Sequence, residues 1–351
     1  MSDSRSDHDN AALSQKSSFS PPAAMPPCLQ EFIPQDHLPD ALSVRYRDDL
    51  YRNENPYHGQ RVWEHFVANN ALEFRRVKSD LTSDAGEEPN FRIASLNLEE
   101  ANLLGVGNHS RVYIAPFQLP PPLHPSTPSG TVSVACKTAI NDEEPRSLLE
   151  NESKIYAQFP RSLQEELLGR HSARPDDRPE FLAAVVPKSY GYYKIAFEES
   201  KAGFEENIDE ETKQGISRYV RSLSPILLME NCGDMIVPFR MPDHQKNHCL
   251  ELIARLHGAG FTQGSLYPRN IVVQPGPLTL PPAARRLHTP SFRIIDFGKG
   301  VYFDPETCNE KAADFGSFLN DMLTEEARAR REFNVDMPDG RFELCTTSYY
   351  Y

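Results

Sequence analysis

Apolar and polar residues alternate along 131–140 as they do in a half-buried strand, and shorter runs at 91–96, 102–107, 111–117, 181–186, 190–197 and 225–229 read the same way. Between them, 145–159 carries apolar residues at helical spacing and is closed by Pro160. From 243 onward helix dominates, with Leu250, Ile253, Ala254 and Leu256 three and four residues apart, and an Arg-rich helix comes after it over 325–333. Upstream, 42–77 turns apolar and aromatic, and Trp63, Phe66 and Val67 predict one amphipathic helix packed on the downstream core. A strand-rich stretch with one helix, followed by a helical region, forms an α+β order of elements.

Composition adds the boundaries. Residues 1–35 are rich in Ser, Asp and Pro and nearly free of large apolar residues, so a disordered tail is expected there. A polar break at 79–90 separates the aromatic stretch from the main run of strands. The expected division is a tail over 1–40, a helical extension and linker over 41–90, a strand-rich lobe over 91–233, a short helical lobe over 234–335 and a C-terminal tail over 336–351. Two insertions are dense in proline, five in 118–130 and five in 274–290; a third, 198–218, is acidic. All three read as surface loops.

The net charge of −13 disfavours nucleic acid as a partner. Six scattered cysteines with no C-x-x-C pair suggest reduced thiols inside a cell. No apolar run reaches transmembrane length, so no membrane partner is expected. The location expected is cytoplasmic, with a nuclear address left open.

The candidate chemistry lies in five segments. Leu104-Gly105-Val106-Gly107-Asn108-His109-Ser110 is a glycine loop, in which Gly105 and Gly107 let backbone N–H groups approach an anion. Val134-Ala135-Cys136-Lys137 ends a strand in a lysine. Glu150 and Glu152 lie on the helix that follows it. Ile226-Leu227-Leu228-Met229-Glu230-Asn231-Cys232-Gly233 is an apolar strand running into a turn. The 256–273 stretch includes Gln263-Gly264-Ser265 and Asn270, and Arg293-Ile294-Ile295-Asp296-Phe297-Gly298 lies downstream of it.

In this order, over about 91–323, these segments resemble the protein-kinase-like superfamily. The resemblance implies a two-lobed fold with a five-stranded antiparallel N-lobe, one helix and a short, mainly helical C-lobe. It implies an ATP site in which Gly105, Gly107 and Lys137 meet phosphates, while Met229, Glu230 and Cys232 line the adenine side. Glu152, or Glu150 two residues earlier, would orient Lys137, and Asn270 and Asp296 would hold Mg²⁺. Ser265 stands where the catalytic Asp of H-R-D is expected, Gln263 and Gly264 replace its neighbours, and no substrate platform follows Gly298. The function this implies is ATP·Mg²⁺ binding with weak or absent phosphotransfer, that is, a pseudokinase. The alternative is an active atypical kinase transferring the γ-phosphate to a hydroxyl. Its partners would be a nucleotide and an unidentified protein or phospho-acceptor. A second Asp-Phe-Gly, at 314–316, reads as a helix with Phe315 buried.

Overall fold

Seven strands close into a ring in the computed structural model of the chain, which describes residues 37–46, 66–67, 69–78, 91–120, 131–170, 179–198, 208–278, 280–304 and 312–335. The ring contains β1 (Ala41–Arg45), β2 (Leu72–Arg76), β3 (Ile93–Asn97), β5 (Ser110–Gln118), β6 (Thr131–Ala139), β9 (Ser189–Ile195) and β10 (Ile226–Glu230). Its order is β3-β1-β2-β9-β10-β6-β5, and β5 returns to β3 through Ser95↔Gln118 and Leu96↔Phe117. Every joint is antiparallel except β1–β3. β4 (Asn102–Val106) lies outside the ring as a flap on the first half of β5.

The closed barrel overturns the expected two-lobed kinase-like fold. That expectation needed an open five-stranded sheet, with 41–77 lying apart from it as a helical extension. Instead, β1 and β2 supply the two strands that bridge the gap between β9 and β3. β5 completes the closure because its nine residues outrun β4. Arg111–Ile114 pair with β4, which leaves Phe117 and Gln118 to meet β3. The resemblance rested on local segments, and local segments carry no information about whether a sheet's two ends meet.

The period-two alternation sends one face of each strand inward. Leu42, Val44, Phe74, Ala94, Leu96, Ala115, Phe117, Val134, Cys136, Tyr193, Ile226 and Leu228 fill the interior. Together these side chains form one buried hydrophobic cluster. Of the helix expected around Trp63, Phe66 and Val67, the described residues 66–67 are helical, with Val67 in the barrel core and Phe66 against it. Trp63, the tail over 1–36 and the proline run over 121–130 lie outside the described residues.

A second core forms on the outer face of β6 and β10, from Ala135, Ala139, Leu227 and Met229. Against it packs α1 (Glu143–Gln158), started by Asp142, whose side chain accepts from the Glu143 amide. The helix stops at Phe159, whose backbone is extended because Pro160 comes next. A short α2 (Arg161–Gln164) leads into the β7 (Leu167–Arg170) and β8 (Pro179–Leu182) hairpin. α3 (Glu210–Arg221) buries Ile216 and Val220 in the barrel core, where the sequence pattern predicted only an acidic loop. Its start is marked by Asp209, which accepts from the Thr212 amide.

The remaining chain builds the far side of the second core. It contains β11 (Asp234–Met235), α4 (Asp243–Gly258), β12 (Phe261–Thr262), β13 (Ile271–Gly276), β14 (Arg286–Ile294), β15 (Val301–Tyr302) and α5 (Ala312–Phe333). The second Asp-Phe-Gly opens α5. Phe315 there is half exposed against Phe303, so it is Phe318 that this helix buries.

One polar cluster ties the ring where it closes. Asp40 is buried; its carboxylate accepts from the Arg92 amide at 3.0 Å and lies 3.3 Å from Lys78 Nζ and 3.7 Å from both Arg76 and Arg92. Burial pushes its pKa up, but the Arg92 amide and Lys78 outweigh that and hold it below the usual carboxylate value. A depressed carboxylate contributes stability above its unfolded pKa and loses it as pH falls through the folded one. Asp40→Asn is therefore expected to cost about 2–3 kcal/mol at neutral pH. The gap from wild type should close in acid, as measured by urea midpoints across pH.

Candidate functional site

The outer face of β6 carries Lys137, because Cys136 beside it points into the barrel. Lys137 is buried, and its ammonium meets two carboxylates: Glu152 Oε2 at 2.6 Å and Asp296 Oδ1 at 2.6 Å. Glu152 comes from the buried stripe of α1, with Leu149, Ile155 and Tyr156. Asp296 comes from the turn after β14. Three separate elements thus converge on one nitrogen. Glu150, the alternative partner, faces outward and pairs with Lys194 and Lys154.

The two carboxylates are not equivalent. Glu152 is 1 % exposed and also accepts from the Phe297 amide at 3.3 Å, whereas the Asp296 side chain is 48 % exposed. Burial would lower the pKa of Lys137, but Glu152 and Asp296 reverse that and hold the ammonium charged. Burial raises Glu152 above its usual value, the Lys137 ammonium pulls it down, and the nearby Asp296 charge adds to the rise.

Asp296 has φ 67° and ψ 62°, the left-handed region that few non-glycine residues occupy and that Asp tolerates better than most. Its surroundings fix it there. Fully buried Gln263 donates from Nε2 to Ile295 O at 3.0 Å and to Asp296 O at 2.6 Å. Gln263 Oε1 accepts from the Ser265 amide. The Gln263 and Gly264 amides in turn donate to Glu325 of α5, which also meets His257 at 2.9 Å. Phe297 locks the other side of the turn, edge-on to Tyr156 and Phe159. Asn151 of α1 donates to Gly298 O and Gly300 O.

Ser265 and Asn270 lie beside this turn. Asn270 Nδ2 donates to Ser265 O at 2.9 Å, and the Asn270 carbonyl accepts from the Ile295 amide. Of the remaining sequence-assigned residues, Met229 sits in the second core. Glu230 turns its side chain inward, accepting from the Lys188 amide and Gln274 Nε2 and lying 3.8 Å from buried Arg293 Nε. Burial would raise the Glu230 pKa, but Arg293 and Lys188 bring it below the usual value. Cys232 is buried, with Sγ 3.4 Å from Glu230 O.

Gly105 and Gly107 lie on the β4–β5 hairpin. Pairing sets Gly105, Val112 and Lys137 in one cross-strand row, so Gly105 is two strands from the lysine, about 10 Å. Neither glycine has a positive φ, and Gly105 has open space where a Cβ would go. The requirement for glycine lies elsewhere, at Gly264, where φ is +79° and the backbone runs against the Lys299 carbonyl.

These positions correct the functional expectation. Asp296, expected to hold Mg²⁺, has one oxygen on Lys137, and Asn270 spends its amide on Ser265 O. Among the described residues no group of three or more His, Cys, Asp or Glu side chains is placed to hold a metal ion. With the barrel in place of a kinase fold, the assignments of ATP, Mg²⁺, phosphotransfer, a pseudokinase and a nucleotide or phospho-acceptor partner fall together. No family model matches the chain, and no curated protein matches it. No helix among the described residues is long and apolar enough to cross a membrane.

Of the residues singled out from the sequence, the structure brings Lys137, Glu152 and Asp296 together and joins Asn270 to Ser265, while three residues of the surrounding network were assigned no role. Gln263 and Glu325 build the turn that presents Asp296, and Arg293 anchors Glu230. Gln263 looks like a lost residue when it is judged by the motif it departs from. The segment Phe261-Thr262-Gln263-Gly264-Ser265-Leu266 is mostly polar, and nothing in it marks Gln263 as buried.

Proposed function

We propose that the chain is a binding module for a small organic carboxylate, held between the barrel wall and the helical layer at Lys137, Glu152 and Asp296, with Ser265 and Asn270 at the rim. One observation carries this reading: a buried ammonium shared by two carboxylates, one fixed and one half exposed on a left-handed residue. Strained backbone beside a buried charge is a feature of binding sites more than of plain structural ion pairs.

The chemistry depends on which carboxylate can leave. Removing Glu152 would strand a buried ammonium and the Phe297 amide, which is costly. Asp296 returns to water when it lets go, so its release costs little. A ligand carboxylate has the same charge and shape and can take its place on Lys137 without leaving the ammonium unbalanced. Because that exchange is nearly neutral, selectivity must come from the rest of the ligand, against Val112, Ala135 and Met229 on the same face. A cytoplasmic location goes with this reading, supported by the free thiols Cys136 and Cys249.

A thermal-shift titration with acetate, succinate and citrate, against sodium chloride at matched ionic strength, tests it. Saturable stabilisation is expected for at least one of the three, reaching about 2.7 kcal/mol at 100 times the dissociation constant. It should vanish in Lys137→Met/Glu152→Leu, which removes both buried charges together. Equal stabilisation of that variant, or an equal effect of chloride, would refute the site.

A further inference from the structure

Two guanidinium groups lie over a single aromatic ring at the rim of this region. Arg269 stands 4.2 Å from the Tyr267 ring centroid and Arg328, reaching over from α5, stands 4.6 Å from it. The Lys299 backbone and Cβ lie against Gly264, three residues before Tyr267 in the chain. Among the described residues none of these three cations has a carboxylate within ion-pair distance, although the neighbouring Arg330 is paired with Glu326.

That arrangement is unexpected in a chain with 50 acidic and 37 basic residues. With carboxylates in excess, most surface cations have an anion at hand. Two guanidiniums over one ring also repel each other, and the cation–π contacts offset that only in part. The ring holds both groups in fixed positions with their N–H edges free to donate. An arginine held in place loses less side-chain entropy on meeting a carboxylate than a free one does.

We infer that the Arg269–Tyr267–Arg328 stack, with Lys299, is a docking surface for a carboxylate-rich segment of a partner protein. Charge complementarity selects this occupant. Paired guanidiniums match carboxylates two at a time, and an array of three cations suits several acidic side chains better than one small anion. A duplex nucleic acid is disfavoured more than an acidic peptide: it carries one charge per about 1.7 Å, about twice the density of an extended oligoglutamate, so the net charge of −13 repels it more strongly. This surface is independent of the Lys137 site, and its test separates the two.

The probe is a fluorescein-labelled oligoglutamate peptide, titrated with the full chain and followed by anisotropy. Saturable binding is expected, weakening as ionic strength rises. Arg269→Gln/Arg328→Gln should weaken it about tenfold or more, and Lys299→Gln, an exposed change that leaves the ring stack alone, should weaken it severalfold. Lys137→Met/Glu152→Leu and the remote Arg45→Gln should bind like wild type. Absence of saturable binding would overturn the proposal, as would equal binding by the Arg269/Arg328 and Lys299 variants. Tighter binding of oligothymidylate than of the peptide would overturn it in favour of a nucleic acid. Self-association lost in the Arg269/Arg328 variant, without peptide binding, would overturn it in favour of a second copy of the chain.

Discussion

Lys137→Met is expected to destabilise the fold by about 3–5 kcal/mol at neutral pH, because it strands Glu152. Glu152 is 1 % exposed and would keep only the Phe297 amide as a partner, with Asp296 as a second negative charge nearby. The sign of the pH dependence separates this from a simple packing loss. Without the ammonium, Glu152 has a folded pKa well above its unfolded one. The native state then binds a proton that the unfolded state has released, and stability falls as pH rises between the two values. Below the unfolded value, about 4.3, both states are protonated and the penalty is absent. Denaturant midpoints across pH should show the variant approaching wild type in acid. Lys137→Met/Glu152→Leu should recover much of the loss at neutral pH, since replacing both members of a buried pair is far milder than removing one.

Gly264→Ala should cost about 3 kcal/mol, from two causes that add. The φ of +79° disfavours any Cβ, by about 1–2 kcal/mol. The new carbon would also press on the Lys299 carbonyl, and a backbone atom cannot swing aside as a side-chain tip can. The turn at 263–265 would have to shift, and with it the Gln263 bonds that hold Asp296 in its left-handed conformation. By contrast, Gly105→Ala, in open space, should be close to neutral. Thermal unfolding of the two alanine variants side by side checks the pair. Equal effects would mean that the backbone at Gly264 relaxes freely.

Local features of the fold were legible where local physics decides them. Alternation along 131–140 located β6, and the helix read over 145–159 with its stop at Pro160 located α1. Lys137, Glu152 and Asp296, singled out from the sequence through the resemblance, are brought together by the structure. Lys137 lies within an alternating strand, and Asp296 lies two residues past the end of an apolar one. Ring closure was not legible, because it depends on β3 finding β5 and on two five-residue strands, β1 and β2, that read as a helix's surroundings. Strands so short carry two or three inward residues each, too few for periodicity to separate them from a helix. α3 was hidden by its charge: Glu210, Glu211 and Lys213 mask an inward face of Ile216 and Val220, and only the Asp209–Thr212 cap marked its start. The resemblance to a kinase set these residues in a two-lobed frame, which the closed barrel replaces.

Asp296 is the residue on which the binding site turns, since it must compete with the ligand for Lys137. Asp296→Asn keeps a side chain that tolerates the left-handed backbone while removing the competing charge. Isothermal titration of the carboxylate that gives the largest thermal shift, into wild type and Asp296→Asn at one ionic strength, reads that competition directly. Tighter binding by the asparagine variant is the expected result. Weaker binding, or none in either protein, would mean that Asp296 is part of a structural ion pair and that Lys137 receives no ligand.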